Sequence, residues 1–304
     1  MPPRTEKTTL IANPSESHPA STSHRRIAAC VLLGIALATL SATAQTPAAP
    51  AAPVAPAKPQ WNGYEIQNFK VDGRDALMVL PKTPAPGKPW IWRTEFFGID
   101  PQADIALLGK GLHVGYISVG GLFGAPVAIN AMDKYYGYVT RTYGLSEKTV
   151  LEGFSRGGIY AFNWAIRHPA ETACLYVDAP VCDFKSWPGG GGRSRASGRD
   201  WRDVLKAYGM TDAEARAYKF NPVDNLAPLA KAKIPILAVI GDKEDWIVPI
   251  EENTLLVEKR YKELGGDIQV IQKPHAGHRP HSLPDPTPIV DFVLKHTKDA
   301  KPAK

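Results

Sequence analysis

The chain has 304 residues, 44% of them hydrophobic and 22% charged, so it is long enough to bury a sizeable core and has the composition of an ordinary globular protein. The formal net charge is +6, but the basic residues are scattered rather than gathered into a stripe with interleaved aromatic residues, which argues against nucleic-acid binding. Three cysteines are too few for a disulfide framework.

Residues 1–44 have the pattern of a signal peptide. An arginine pair precedes an apolar run over 27–40, and Ala42-Thr43-Ala44 supplies the small residues of a cleavage site. The run is too short to span a bilayer comfortably, which disfavours the alternative of a membrane anchor. We therefore expect cleavage before Gln45, no stable membrane insertion afterwards, and export to the periplasm or out of the cell.

Residues 45–60 are predicted to be a linker that precedes a folded domain over 61–304. Between 46 and 59 only Thr, Pro, Ala, Val and Lys occur, a composition typical of an extended, solvated tether. Within the domain, Cys174 and Cys182 lie about 26 Å apart if the chain between them is extended at about 3.3 Å per residue, beyond disulfide reach. Both are predicted to be buried thiols.

Strand and helix signals alternate through the domain, which predicts a mostly parallel sheet with helices on both faces. The sheet opens with a predicted antiparallel hairpin, 64–71 and 75–80, around the turn Asp72-Gly73. Further strands are predicted at 90–96, 112–119, 149–153, 174–179, 236–240 and 268–272, and helices at 103–108, 125–143, 158–168, 251–264 and 288–296. The stretch from 183 to 219 is predicted to be an irregular inserted lid.

A G-x-S-x-G pattern, Gly153-Phe154-Ser155-Arg156-Gly157, stands where a predicted strand gives way to a helix. A nucleophilic serine at such a turn has a strained backbone and needs small residues two positions before and two after it. The alternative is a glycine-rich turn with an incidental serine, but the strand-to-helix position favours a nucleophile at Ser155.

A serine hydroxyl is a weak nucleophile at neutral pH, so it needs a base, and the base needs an acid to orient it. Asp245 follows the buried strand predicted at 236–240, and His278 follows the last predicted strand. Both can reach Ser155 at the same edge of the sheet. The alternative acids are Asp242 and Asp178, and His275 and His281 flank the predicted base.

The chain order Ser, Asp, His, with the loop Asp245-Trp246-Ile247-Val248-Pro249 and the step Gly277-His278, resembles the α/β-hydrolase superfamily over about 64–297. The resemblance implies a three-layer α/β-hydrolase fold with Ser155 as nucleophile, His278 as base and Asp245 as acid. Gly241 stands one residue too far from Asp245 for the usual spacing of that loop. The turn over residues 153–157 is the nucleophile elbow of that fold, and its Ser155-Arg156 step is also locally similar to that of glucuronoyl esterases.

The oxyanion hole is predicted to combine the backbone N–H of Arg156 with one from the turn after the strand at 90–96. Phe97 is the candidate there, with Phe96 as the alternative. The Arg156 side chain either assists the oxyanion or forms a salt bridge, for which Glu95 is the nearest candidate in that turn.

Candidate substrate-binding residues in the predicted lid are Trp187, Arg193 and Arg195. Together with Arg156 and Arg199, these guanidinium groups predict a preference for esters that carry a negative charge, because guanidinium pairs bidentately with carboxylate. The alternative is that they are solvated on a mobile surface loop.

These patterns predict an exported serine hydrolase, foremost a carboxylic-ester hydrolase that forms an acyl-enzyme on a small-molecule or carbohydrate ester, for example one in a plant polymer. The alternatives are a serine peptidase of the same fold and a non-catalytic binding protein on a hydrolase scaffold. No cofactor is predicted, because the glycines at 189–192 lack a following Gly-Lys-Ser or Gly-Lys-Thr. No metal site is predicted either, because His and Cys lack ligand spacing.

Overall fold

The computed structural model describes residues 58–303. The predicted signal peptide and nearly all of the predicted linker lie outside these residues, so both stay predictions. Within the described part of the chain, no helix is both long and apolar enough to cross a bilayer.

The described residues form a nine-stranded sheet in the order β1-β2-β3-β5-β4-β6-β7-β8-β9. The strands are β1 (Gln60–Trp61), β2 (Tyr64–Val71), β3 (Arg74–Val79), β4 (Trp90–Arg93), β5 (His113–Ile117), β6 (Thr149–Phe154), β7 (Thr172–Asp178), β8 (Ile236–Gly241) and β9 (Ile268–Lys273). Strands β1 to β3 are antiparallel to their neighbours, whereas β4 to β9 run parallel. The interior strands β6 and β8 are buried along their whole length, as expected for a sheet covered on both faces.

Helices cover both faces of the sheet. They are α1 (Gln102–Gly109), α2 (Pro126–Tyr143), α3 (Gly157–Arg167), α4 (Gly198–Tyr208), α5 (Asp212–Ala217), α6 (Ala227–Lys231), α7 (Thr254–Glu263) and α8 (Thr287–Thr297). One core cluster joins the sheet to α2, α3, α4 and α7, and a second joins it to α1 and α8. This three-layer arrangement confirms the predicted fold class.

The segment 183–219 differs from its prediction. It was expected to be irregular, yet it contains α4 and α5, so that expectation was wrong. The Ser197 side chain caps α4 by accepting from the Asp200 N–H, and Thr211 with Glu214 forms a reciprocal capping box on α5. Trp201 of α4 is buried in the core cluster on the α2 and α3 side. The motion of this insert as a lid stays a prediction.

A buried charge cluster anchors the strands beneath the elbow. Arg93 at the end of β4 pairs with Asp104 of α1 at 2.8 Å and with Glu152 of β6 at 3.2 Å. Its guanidinium also lies 4.0 Å from the centre of the Phe154 ring. Burial of an ion pair is expensive, so the cluster fixes the relative position of these elements more than it adds net stability.

The two cysteines of the described chain behave as predicted. Cys174 and Cys182 are both buried and free of disulfide bonds. Burial raises the pKa of each thiol, because the charged thiolate is disfavoured in an apolar environment.

Candidate active site

Ser155 occupies a sharp turn between β6 and α3. Its φ is +49°, in the left-handed region that a residue with a side chain rarely adopts. A Cβ at Gly153 would lie 2.9 Å from the Gly157 carbonyl oxygen, and one at Gly158 only 2.3 Å from the Cβ of Pro180. The glycines thus allow the close approach of β6, α3 and the segment at Pro180 that this turn at the edge of the sheet requires.

Asp245 stands in the loop that follows β8. Its Oδ1 accepts hydrogen bonds from the backbone N–H groups of Ile247 and Val248, both at 2.9 Å. The side chain is only 2% exposed, and its remaining hydrogen-bond partner is His278. The carboxylate is therefore held in one orientation, with Oδ2 directed toward the loop after β9.

His278, in that loop, completes a continuous hydrogen-bonded chain. Its Nδ1 lies 2.8 Å from Asp245 Oδ2, and its Nε2 lies 2.9 Å from Ser155 Oγ. Because an ionised carboxylate only accepts, Nδ1 carries the proton and Nε2 is left to accept from the serine hydroxyl. The structure thus brings together the three residues that the sequence selected.

The alternative acid Asp178 has other partners. Its carboxylate is fully buried and accepts from Lys273 Nζ at 2.9 Å, from His281 Nδ1 at 3.0 Å and from the Ser282 N–H at 2.8 Å. Burial lowers the pKa of His281, against the raising effect of Asp178. Lys273 was not among the predicted site residues, and its burial at the end of β9 follows from its pairing with Asp178.

The remaining alternatives lie apart from the serine. Asp242 is exposed and accepts from the Ala276 N–H at 3.2 Å. This hydrogen bond joins the loop after β8, called the acid loop because it carries Asp245, to the loop after β9, which carries His278. His275 is exposed, with φ of +61°. Over residues 58–303, no group of three or more His, Cys, Asp or Glu side chains is placed to hold a metal ion.

The turn after β4 lies against the elbow. The strand ends at Arg93 rather than at the predicted 96. The Thr94 hydroxyl shares its proton between the carbonyl oxygens of Glu152 and Gly157, at 2.9 and 2.8 Å, which ties the turn to the start of α3. The Phe96 ring lies 5.2 Å from the Arg156 guanidinium, whereas the Phe97 ring packs on Trp61 and Tyr116. Both candidate residues for the second oxyanion donor are therefore in this turn.

The side chain of Arg156 forms the salt bridge that was one of its two predicted roles. Its Nε lies 2.9 Å from both Glu95 oxygens and its Nη2 lies 2.6 Å from Oε1, while Nη1 lies 3.2 Å from Asp200 Oδ1 on α4. The carboxylates raise the pKa of Arg156, and this outweighs the opposing effect of burial. Burial raises the pKa of Glu95 despite Arg156.

The candidate substrate-binding residues of the insert lie on two sides of the site. The Trp187 ring lies 6.1 Å from that of Phe123, which in turn is 5.5 Å from the Arg156 guanidinium. Arg193 pairs with Glu244, and with Glu251 at 3.5 Å. The insert is also tied to the acid loop, because the Arg195 N–H donates to the Trp246 carbonyl at 2.8 Å.

No protein-family model matches the chain, and a search of curated proteins returns no match. Dipeptidyl peptidase 4 of Porphyromonas gingivalis is similar in structure, with a TM-score of 0.56 and 16% identity over 78% of this chain and 36% of that one. A puromycin-hydrolyzing peptidase of Mycobacterium tuberculosis gives a TM-score of 0.60 and 13% identity over 78% and 40%. A candidate lipase of Acinetobacter baumannii AYE gives a TM-score of 0.51 and 17% identity over 78% of this chain and 93% of that one.

The chain spans well under half the length of these two peptidases and nearly all of the lipase. At such low identity the likenesses establish the fold and not the chemistry. They agree with the parallel sheet and its two helical layers. The chain has the α/β-hydrolase fold.

Proposed function

We propose that this protein is a serine hydrolase that cleaves carboxylic esters through an acyl-enzyme. The observation that carries the proposal is the hydrogen-bonded chain from Asp245 through His278 to Ser155, with both distances below 3.0 Å. A strained serine backbone at the start of a helix supports the same role. A non-catalytic binding protein has no need of this arrangement.

In the proposed mechanism, Ser155 Oγ attacks the ester carbonyl carbon while His278 Nε2 accepts the hydroxyl proton. The oxyanion is stabilised by the N–H of Arg156 and by a second N–H from the turn after β4, for which we retain Phe97. The intermediate collapses, the ester C–O bond breaks, and His278 returns its proton to the alcohol. Water, activated by His278, then attacks the acyl-enzyme carbonyl carbon, and breakage of the acyl C–O bond releases the acid and regenerates Ser155.

A serine peptidase is the second candidate, because several similar structures are peptidases. The same triad can cleave amides, but the amine leaving group requires fuller protonation by His278 than an alcohol does. We therefore prefer the ester. A panel of model esters and blocked peptides, compared by kcat/KM, decides between the two.

We further propose that the substrate is a small-molecule or carbohydrate ester and that it contacts Trp187, Arg193 and Arg195 of the insert. The insert supports this role because it is hydrogen-bonded or ion-paired to both the elbow and the acid loop. We also propose that the protein acts after export, with residues 1–44 removed. Intact-mass measurement of the exported protein, with Gln45 expected as its first residue, tests that step.

The nucleophile is tested with a fluorophosphonate probe, which reacts with an activated serine. Wild type should be labelled, and Ser155→Ala should lose both labelling and esterase activity. Ser146→Ala is a matched control, because it removes a buried serine elsewhere in the chain. Labelling that persists in Ser155→Ala would refute the proposal.

A further inference from the structure

The guanidinium of Arg156 is surrounded on its edges and on its faces. Glu95 accepts from Nε and Nη2, at 2.6 to 2.9 Å, and Asp200 accepts from Nη1 at 3.2 Å. The rings of Phe96 and Phe123 lie 5.2 and 5.5 Å from its central carbon. The cation beside the nucleophile is therefore ordered, and its positive charge is already matched.

The two carboxylates that contact Arg156 differ in origin and exposure. Glu95 belongs to the turn after β4 and is 6% exposed, so it is a fixed internal partner. Asp200 belongs to α4 of the insert, and its side chain is 20% exposed, close to the 23% of Arg156. Asp200 is thus the more exposed of the two carboxylates that hold Arg156.

The charges at this point do not cancel. One guanidinium and two carboxylates give a net charge of −1 when all three are ionised. The ion pairs of Arg193 with Glu244 and Glu251 similarly add two anions for one cation at the other side of the insert. The arginines alone predicted an affinity for anionic esters, but at Arg156 and Arg193 the partner carboxylates outnumber the guanidinium groups.

We infer that Asp200 is a specificity-determining residue, which occupies the edge of Arg156 that a substrate carboxylate would need and thereby restricts the site to uncharged esters. The inference rests on the proposed function and narrows its substrate class. A carboxylate near the scissile bond meets Asp200 at Nη1, and Glu95 already holds the Nε and Nη2 edge, so it is repelled and competes poorly for the bidentate pairing that arginine offers. An uncharged acyl group or sugar avoids both costs.

The experiment compares para-nitrophenyl hexanoate with mono-para-nitrophenyl adipate, which differ by a carboxylate in place of a terminal methyl group. Each kcat/KM is measured at low ionic strength and corrected for spontaneous hydrolysis. Wild type should favour the hexanoate. In Asp200→Ala and Asp200→Asn the ratio should shift toward the adipate by about ten- to hundred-fold, the range for a hydrogen bond to a charged group.

Asp203→Asn is the matched control, because Asp203 lies one turn further along α4 and forms no ion pair within the described residues. It removes the same charge from the same helix, and its ratio should change less than about three-fold, since exposed charges act weakly at a distance. Two Asp200 variants are used because alanine also removes the Ser197 contact that helps to cap α4, whereas asparagine keeps the size of the side chain.

The outcomes separate the two proposals. If wild type hydrolyses neither ester through Ser155, the proposed function fails, and the inference fails with it. If wild type is active but prefers the adipate, or if Asp200 variants shift the ratio no more than Asp203→Asn does, esterase function stands and the role of Asp200 is wrong. A shift confined to the Asp200 variants, which weakens as salt is added, supports the inference.

Discussion

Replacing Asp245 by asparagine should disable the base by changing which nitrogen of His278 carries the proton. Asp245 Oδ1 accepts from the N–H groups of Ile247 and Val248, and Oδ2 accepts from His278 Nδ1. An asparagine offers one oxygen and one NH₂ group. Because two backbone donors require the oxygen, the NH₂ group must face Nδ1.

That orientation reverses the hydrogen bond to the imidazole. Nδ1 becomes an acceptor, so the ring proton moves to Nε2, which lies 2.9 Å from Ser155 Oγ. A protonated Nε2 cannot take the serine proton. We expect kcat to fall about 10⁴-fold, the loss measured for the equivalent change in a serine protease, which corresponds to about 5 kcal/mol of transition-state stabilisation.

The assay is hydrolysis of a neutral aryl ester, with thermal unfolding measured on the same samples. Asp245→Asn should unfold near the wild-type temperature, because both backbone hydrogen bonds survive. The matched control is Asp242→Asn in the same loop, because this side chain is exposed and, within residues 58–303, forms no hydrogen bond with His278; asparagine keeps an oxygen for the Ala276 N–H, and kcat should change little. If Asp178→Asn loses about 10⁴-fold in kcat while Asp245→Asn stays within ten-fold of wild type, the orienting acid is Asp178 and the reasoning is refuted.

Two further predictions concern stability. Lys273→Met should lower the free energy of unfolding by about 3–5 kcal/mol, because it leaves Asp178 buried without its ammonium partner. The double variant Lys273→Met with Asp178→Asn should recover part of that loss. Urea unfolding measures both variants, and an unchanged free energy of unfolding in Lys273→Met would contradict the pairing. Burial lowers the pKa of His113 to about 4, so the unfolded chain binds its proton first and stability should fall as pH drops from 6.5 toward 4. Relative to His113→Gln, wild type should lose about 2–3 kcal/mol more between pH 8 and pH 4.5 in urea titrations, and parallel pH profiles would contradict this.

Much of the fold was predictable because its signals are local. The hairpin around Asp72-Gly73 needs only a turn dipeptide between two alternating segments, and β2 and β3 pair across it as expected. The buried runs of β6 and β8 show as continuous apolar stretches. The positions of Ser155, Asp245 and His278 follow from the same logic, because each stands in the turn or loop that follows a strand and the carboxyl ends of parallel strands meet at one edge.

The partners of these residues were harder to predict, because they depend on which distant segments meet. The sequence reasoning weighed Glu95 as a partner of Arg156 but gave no role to Asp200, since it treated 183–219 as irregular. The capping patterns Ser197-x-x-Asp200 and Thr211-x-x-Glu214 were available signals of two helices there. Only the packing of α4 against the elbow brings Asp200 to Arg156, and no local pattern encodes that contact.

The charges around His278 give an independent argument for which carboxylate serves it. Asp178 is paired with Lys273, and Glu95 with Arg156, so each of these anions has a permanent cation as a partner. Within residues 58–303, Asp245 pairs with no lysine or arginine, and its only ionisable partner is His278. Its charge is therefore balanced only when His278 becomes an imidazolium, which is the state formed as Ser155 attacks. An uncompensated carboxylate stabilises that state most strongly, so the electrostatics and the hydrogen bonds select the same acid.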